Sequence, residues 1–314
     1  MRSLPLLALP LLLTGCVDVD FSSSDRFQED FHYSYDLQPN GRVIAEGFNG
    51  KIEIVGWDDN KVDITGTKYG STERLRDAIK VETHNSPGQV EVRAVRPSAS
   101  RGGSGVRMTI RVPKQAIVER VTSSNGSIQV DRIANVQHLK TSNGAIRVGN
   151  AAGDLDARTS NGSIDIEDFS GNVSLHSSNG RIRAEDVTGS CTADTSNASI
   201  NIEMRESPTS PIRLETSNGS IELAMAQTPK GYVRAESSNG SITLRLPANA
   251  SARLNADTSN SSITTEFDVT SQFSGERAKK DHLNGTIGSG GPTLDLETRN
   301  GHIRILKSSR SGEN

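Results

Sequence analysis

The amino-acid sequence predicts an all-β protein, a single-stranded parallel β-solenoid (β-helix) with an irregular β-rich N-terminal cap. The phrase Ser-Asn-Gly-Ser-Ile, or a near copy, recurs ten times, at first every 18 residues and then mostly every 21. A fixed period of this length is typical of solenoids. Aromatic residues are only 4% and hydrophobic residues 33% of the 314 residues, which suits a stack of thin coils better than one thick core.

Each copy of the phrase places an isoleucine three residues after its asparagine. The ten asparagines are Asn125, Asn143, Asn161, Asn179, Asn197, Asn218, Asn239, Asn260, Asn284 and Asn300. The matching isoleucines are Ile128, Ile146, Ile164, Ile182, Ile200, Ile221, Ile242, Ile263, Ile287 and Ile303. An outlying copy, Asn49-Gly50-Lys51-Ile52, precedes them.

One coil can be described from residues 124–141. A first strand points Ile128 and Val130 inward, a corner follows, and a return strand points Leu139 inward. At the position of Leu139 large and small residues alternate along the chain: Leu139, Ala157, Leu175, Ala193, Leu214 and Ala235. Layers about 4.8 Å apart interdigitate best in this way.

Asparagine and glycine predict a turn with positive φ, which these residues tolerate. If the coils lie parallel, their stacked asparagine amides can form a hydrogen-bonded ladder. Crossover chirality favours a right-handed wind. An antiparallel β-meander with Asn-Gly hairpins is the structural alternative.

The remaining chain divides into four parts around the repetitive solenoid of residues 118–306. Residues 1–15 form a signal peptide, residues 16–39 a flexible tether, residues 40–117 the cap and first coils, and residues 307–314 a tail. Within the cap, alternating segments predict strands, and Thr72–Lys80 predicts a short helix that Thr72 caps. Val112-Pro113 ends a strand because proline cannot donate to a ladder.

The N-terminus ends its apolar run in Leu13-Thr14-Gly15-Cys16. This resembles the bacterial lipoprotein cleavage box, in which the cysteine is acylated, with palmitate among its chains, and becomes the new N-terminus. Several acyl chains anchor a protein to a membrane far better than one. Val17 after the cysteine favours the outer membrane if the host is Gram-negative. An ordinary secretory signal with a chance cysteine is the alternative.

Other classes of function have little support. Cys191 remains as a single thiol at an apolar repeat position, which predicts a buried side chain rather than a disulfide. A formal net charge of −3 without a long basic run argues against nucleic-acid binding. We predict no catalytic residues, no metal and no cofactor.

One outward column of the return strand is a candidate surface strip. Its carboxylates are Asp194, Glu215, Glu236 and Asp257, and Arg213 and Arg234 lie two residues before the two glutamates. Stacked carboxylates repel unless cations or basic groups intervene. The strip therefore predicts either a calcium-binding or catalytic site, or a solvated face that the arginines neutralise.

The lipobox, the β-rich entry, Val112-Pro113 and the reiterated Ser/Thr-x-Asn-Gly-x-Ile resemble a bacterial adhesin-like β-solenoid family of unknown function. The resemblance covers residues 40–306 and implies a parallel solenoid in the cell envelope, without catalytic residues to transfer. Ala198 and Ser261 depart from the glycine of the motif.

The first hypothesis for function is a non-enzymatic, lipid-anchored envelope protein that binds a glycan or an envelope protein. A polysaccharide lyase or hydrolase acting through the acidic strip is the alternative. A purely structural or stress-sensing spacer is a third possibility.

Overall fold

The computed structural model describes residues 26–96, 103–206, 210–270 and 280–308. These residues form 25 strands in one continuous, mostly parallel sheet and a single short helix. The predicted all-β class and the solenoid are confirmed. The right-handed wind stays a prediction.

The N-terminal part contains seven strands and the helix. They are β1 (Phe27–Asp36), β2 (Arg42–Glu46), β3 (Ile52–Trp57), β4 (Lys61–Gly70), α1 (Glu73–Asp77), β5 (Lys80–Ser86), β6 (Gln89–Val95) and β7 (Ser104–Pro113). As predicted, a strand ends at Pro113, and the Thr72 side chain caps α1 by accepting the Leu75 N–H at 3.2 Å. The helix is shorter than predicted because the chain enters β5 at Lys80.

The repetitive part contains the other eighteen strands. The first ten are β8 (Ile117–Thr122), β9 (Ile128–Asp131), β10 (Asn135–Lys140), β11 (Ile146–Thr159), β12 (Ile164–Ser177), β13 (Ile182–Val187), β14 (Cys191–Thr195), β15 (Ile200–Met204), β16 (Ile212–Thr216) and β17 (Ile221–Met225). The last eight are β18 (Val233–Ser237), β19 (Ile242–Leu246), β20 (Ala252–Thr258), β21 (Ile263–Thr265), β22 (Val269–Thr270), β23 (His282–Ile287), β24 (Thr293–Thr298) and β25 (Ile303–Lys307).

Successive coils stack parallel and in register. Ile146 lies opposite Ile164 and Leu155 opposite Val173, each 18 residues further along the chain. The isoleucines of this column are buried to 1% exposure or less from Ile128 to Ile242. The antiparallel meander is therefore wrong for the repeats, because strands one period apart pair in the same direction.

At both ends the spatial order of coils departs from the sequence order. β24 pairs with β18 on one side and with β20 on the other, so the last coil of the chain lies between two earlier ones. Likewise β2 lies between β6 and β8. The coils next to the chain ends are thus held on both sides, and antiparallel strands lie outside them: β1, β4 and β5 at one end, β23 at the other.

Side-chain volume explains the order at the C-terminal end. The inward residues in spatial order are Ala235, Leu296, Ala256 and Leu283, so large and small continue to alternate. The sequence order would stack Ala256 directly on Ala235 and leave a void between two alanines. Interiors are close-packed, and such voids are costly.

Three expectations need correction. The predicted flexible tether is wrong over Phe27–Asp36, because these ten residues form β1 and pair antiparallel with β4. Asn284 is not a repeat turn, since it lies within β23 opposite Asn255. The outlying Asn49 takes its place, because β3 stacks in register on β9.

The prediction of positive φ at the Asn-Gly turns is wrong for the repeats, because positive φ occurs at the other corner of the coil, between the first strand and the return strand. Arg132, Asn150, Asp168 and Asp186, one residue from each of four consecutive coils, have φ of 49–58°. Among the described repeat phrases only Gly50 has positive φ. The repeat glycines are required for a different reason: neighbouring coils approach so closely at these turns that a Cβ would clash with the backbone of the next coil.

Candidate binding surface

The return strands place the predicted acidic strip as one column. Its order in space is Asp194, Glu215, Glu236, Glu297 and Asp257. The swapped coils thus insert Glu297, which the sequence order placed last. A histidine lies at each end: the His176 ring contacts the Asp194 carboxylate, and the His282 ring contacts Asp257.

Arg234 neutralises the middle of this strip. Its guanidinium donates to Glu236 at 2.8 Å and to Asp295 at 3.0 Å, and lies 3.7 Å from Glu297. The hydrogen bond to Glu236 is the largest cause that raises the pKa of Arg234. The predicted pairing of Arg234 with Glu236 is confirmed.

Arg213 does not repeat this arrangement. Within the described residues, neither Arg213 nor Glu215 forms an ion pair of 4.0 Å or less, and both side chains are exposed. No group of three or more His, Cys, Asp or Glu side chains in the described ranges has a geometry that holds a metal ion. The column favours the solvated, partly neutralised face of the two interpretations.

Arg234→Met should therefore destabilise the protein through charge rather than packing. We expect a loss of about 1 kcal/mol in unfolding free energy at low salt, because three carboxylates lose their shared cation. The loss should shrink in 1 M salt, where the Debye length is about 3 Å. Urea unfolding measures both, and Arg213→Met is the matched control with little expected change. Equal effects of the two variants would contradict the assigned role of Arg234.

The exposed turns carry a continuous ladder of ten asparagine side chains. Each Nδ2 donates to the Oδ1 of the preceding coil at 2.6–2.9 Å. The order in space is Asn49, Asn125, Asn143, Asn161, Asn179, Asn197, Asn218, Asn239, Asn300 and Asn260. Asn49 in turn donates to the Ser104 carbonyl at 2.8 Å. The predicted ladder is confirmed, with Asn49 in it and Asn284 outside it.

A second, buried row of hydroxyls lies directly beneath the ladder, and the sequence reasoning missed it. Each return strand of the repeats ends in a buried Ser or Thr or is directly followed by one, for example Thr159 and Ser177. Thr159 accepts the Gly162 N–H at 3.2 Å and donates to the Gly144 carbonyl of the neighbouring coil at 3.0 Å. The signal is the Ser or Thr two residues before each asparagine, at a position whose side chain must face inward.

The structure describes Cys191 but not Cys16. Cys16, with the signal peptide and residues 16–25, lies outside the described residues, so its lipidation stays a prediction. Cys191 is free and fully buried, and burial raises the pKa of its thiol from the ordinary 9.0 to about 12. Across the described ranges, no helix has the length and apolar character needed to cross a bilayer.

Cys191 should be inert towards thiol reagents at pH 8 until the protein unfolds. Mass spectrometry after maleimide treatment measures the labelling of Cys191. The variant Ser178→Cys, whose thiol would lie at an exposed position, is the control. The unfolding free energy should also fall as pH rises from 9 to 12, because the unfolded thiol ionises in that window and the folded one does not. Labelling of native Cys191 as fast as of position 178 would contradict this burial.

The sequence reasoning also missed a cleft at the N-terminal end of the stack. Its volume is about 660 Å³, and it lies between the end of β1 and the turn that joins β5 to β6. The residues that line it, 34–38, 60 and 85–87, fall largely in the segment that the sequence assigned to a tether. A smaller depression of about 250 Å³ lies over Gly149 on the first-strand face.

Several solved structures are similar to this chain at low sequence identity. A candidate cell adhesion protein from Clostridium sporogenes ATCC 15579 is 14% identical, with 89% of this chain and 100% of that chain covered and a TM-score of 0.25. A candidate adhesin from Bacteroides fragilis NCTC 9343 is 14% identical, with 89% and 97% covered and a TM-score of 0.28. A candidate lipid binding protein from Parabacteroides distasonis ATCC 8503 is 12% identical, with 91% and 98% covered and a TM-score of 0.33.

Similarity at this level assigns no ligand to this chain, because one fold hosts many functions. No curated protein matches the sequence. A family model, in contrast, matches residues 43–306, which spans the cap, every coil of the asparagine ladder and the buried hydroxyl row. The chain therefore belongs to the Toastrack DUF4097 family.

Proposed function

We propose that this chain is a lipid-anchored protein of a bacterial cell envelope that binds a glycan or an envelope protein in an adhesin-like, non-enzymatic role. The asparagine ladder carries this proposal. Nine side-chain hydrogen bonds hold ten amides in one row, nine of them exposed and that of Asn49 half-buried, so a partner that docks there meets side chains that are already ordered. Binding to a preorganised surface loses less conformational entropy.

The ladder also leaves polar groups for a partner. An asparagine amide has two N–H donors and two acceptor lone pairs, and a ladder bond on each side uses one of each. The Nδ2 groups of Asn218 and Asn239 donate additionally to the Ser196 and Ser217 carbonyls at 3.4 and 3.3 Å. The groups that the ladder leaves unused elsewhere recur with the inter-strand spacing of about 4.8 Å. A regular polar row of this kind suits hydroxyl-rich or extended polymers better than a compact apolar molecule.

A binding screen tests the proposal. The full chain, reconstituted in lipid nanodiscs, is presented to envelope glycans and to envelope protein extracts, with heat-unfolded protein as a control of identical composition. We expect reproducible capture of a glycan or an envelope protein by the folded chain alone. Reproducible absence of any partner would overturn the binding role and favour a structural spacer.

The lipid anchor has its own test. Cys16→Ser should move the protein from the membrane fraction to the soluble fraction, because the acyl chains supply its membrane affinity. Cys191→Val, at a buried apolar position between Val173 and Ile212, is the matched control and should stay with the membrane. In a Gram-negative host Val17 favours the outer membrane, which fractionation also reports. Membrane retention of Cys16→Ser would contradict lipidation at this residue.

The non-enzymatic part of the proposal rests on how the acidic strip is paired, apart from Glu215, which forms no ion pair with the described residues. His176 contacts Asp194, Arg234 pairs with Glu236, and His282 contacts Asp257. Carboxylates already engaged by an arginine or a histidine are poorly suited to act as a proton donor and base for glycoside cleavage. Turnover of any polysaccharide that is lost in Glu215→Ala without unfolding would establish the alternative, a lyase or hydrolase.

A further inference from the structure

The cleft at the N-terminal end combines preformed shape with unused polar groups. Three separate chain segments meet there, and backbone hydrogen bonds join them. Leu37 donates its N–H to the Asn60 carbonyl at 3.1 Å, and Gln38 donates to the Pro87 carbonyl at 2.9 Å. Leu37 itself is only 4% exposed. The walls are therefore held by the fold and need no ordering when a ligand binds.

Tyr35 supplies the aromatic part of the cleft. Its ring stacks on Tyr33, with the two planes 10° apart and the centroids 6.4 Å apart. Its hydroxyl forms a hydrogen bond of 2.7 Å with the hydroxyl of Thr83 on β5. The ring is thus fixed at both its face and its tip, and it can offer an ordered apolar surface to one side of a ligand.

The polar side chains of the cleft have unused hydrogen-bonding capacity. Asp36, Gln38 and Asn85 are exposed, and their side chains form no hydrogen bond or ion pair with other described residues. Asp36 offers only acceptors, whereas the two amides each offer donors and an acceptor. Such a set can hold several hydroxyl groups of one ligand at the same time.

The charge of the cleft restricts the class of ligand. Asp36 is its one charged residue among those described, and no Lys, Arg or His lines it. Lys61 lies opposite Asp36 on β4 but does not line the cleft, so the lining offers an anionic group of a phosphate, sulfate or uronic acid a carboxylate and no cation. The apolar lining is limited to Tyr35, Leu37 and Pro87, which is too little for an acyl chain. A volume of about 660 Å³ lies within the usual range for small-ligand sites.

We propose that this cleft binds a neutral or amine-bearing sugar unit of a glycan. The apolar face of the sugar ring packs against Tyr35. Its hydroxyls, or an amine, bond to Asp36, Gln38 and Asn85. This inference rests on the proposed glycan-binding function and adds to the ladder a sugar-binding site at the end of the stack.

Calorimetry with the full chain in nanodiscs tests the proposal with three probes. These are N-acetylated chito-oligosaccharide, its deacetylated amine form, and oligogalacturonate as the acidic counterpart. We expect binding of one or both of the first two and none of the third. Asp36→Ala and Asn85→Ala should each weaken binding about tenfold, which is the usual loss of one good polar contact. Glu82→Ala, which removes an exposed carboxylate of β5 outside the cleft, should change affinity less than about twofold.

The outcomes separate the two proposals. Equal glycan affinity in the wild type, Asp36→Ala and Asn85→Ala overturns the cleft as the site and leaves the proposed function standing. Preference for oligogalacturonate overturns the ligand class. No glycan binding here, with capture of an envelope protein in the binding screen, overturns the cleft inference alone. No partner in either experiment overturns both.

Discussion

Replacing Leu296 with alanine should lower the unfolding free energy by about 2–5 kcal/mol, the usual cost of a buried Leu→Ala change. Leu296 is 1% exposed and lies between Ala235 and Ala256 in neighbouring coils. The variant would stack three alanines, and their small volumes would leave a cavity that the hydrogen-bonded backbone cannot close. Urea unfolding measures the loss, together with native-state hydrogen exchange because solenoids need not unfold in one step.

Leu306→Ala is the matched control for this change. Leu306 belongs to the same coil but faces outward and is half-buried, so its truncation should cost less than about 1 kcal/mol. Equal losses from the two variants would show that the alternation of large and small residues does not stabilise the coil order. Hydrogen exchange should localise the effect of Leu296→Ala to coils 233–246, 252–265 and 293–307.

The second large effect is expected from Gly180→Ala, at about 3–4 kcal/mol. A Cβ at this position would lie 1.6 Å from the carbonyl oxygen of Gly162 in the neighbouring coil. The obstacle is backbone, so the turn must shift and give up the bond from the Gly180 N–H to Ser177, now 2.9 Å. Ala198 and Ser261, which replace the repeat glycine, show what such a shift involves, because within the described residues neither N–H forms the corresponding bond to the hydroxyl three residues earlier.

Gly149→Ala tests whether the expected loss at Gly180 comes from the close approach of the next coil or from replacing any glycine with alanine. A Cβ there would meet only the Asp131 carboxylate at 3.3 Å, and Gly149 is not among the glycines with positive φ. We expect a change within about 0.5 kcal/mol in urea unfolding. A loss at Gly149 as large as at Gly180 would mean that the clash with the next coil is not the reason for the repeat glycines.

The repeat explains why so much of the candidate surface could be predicted. Once coils lie parallel, an 18-residue period places Arg158, His176 and Asp194 in one column whatever the rest of the chain does. The asparagine ladder and the isoleucine core follow from the same register. The pairing of Arg234 with Glu236 was also predictable, because residues i and i+2 of a strand share a face.

Other features depend on contacts that no local pattern records. The insertion of Glu297 into the acidic column follows from the swapped coil order, and the cleft depends on β1, whose polar sequence resembles a linker. β1 becomes a strand only because β4 offers a paired edge and because Phe31, Tyr33 and Tyr35 pack against the core. These aromatic residues alternate with polar ones in the sequence, which is a strand pattern. The polar, serine- and acid-rich composition of the segment nevertheless favoured the prediction of a tether.

The sequence by itself determined the class of fold, the parallel stack, the register of every coil from residue 118 to residue 246 and the asparagine ladder. It determined them because a repeated pattern of apolar, turn and polar residues has only one register in which all columns match. Only the tertiary structure decided the order of coils at the two ends, the strand β1 and the corner that carries positive φ. Repeated coils present nearly identical columns, so any coil can stack on any other, and the choice falls to the fit of side-chain volumes across the stack.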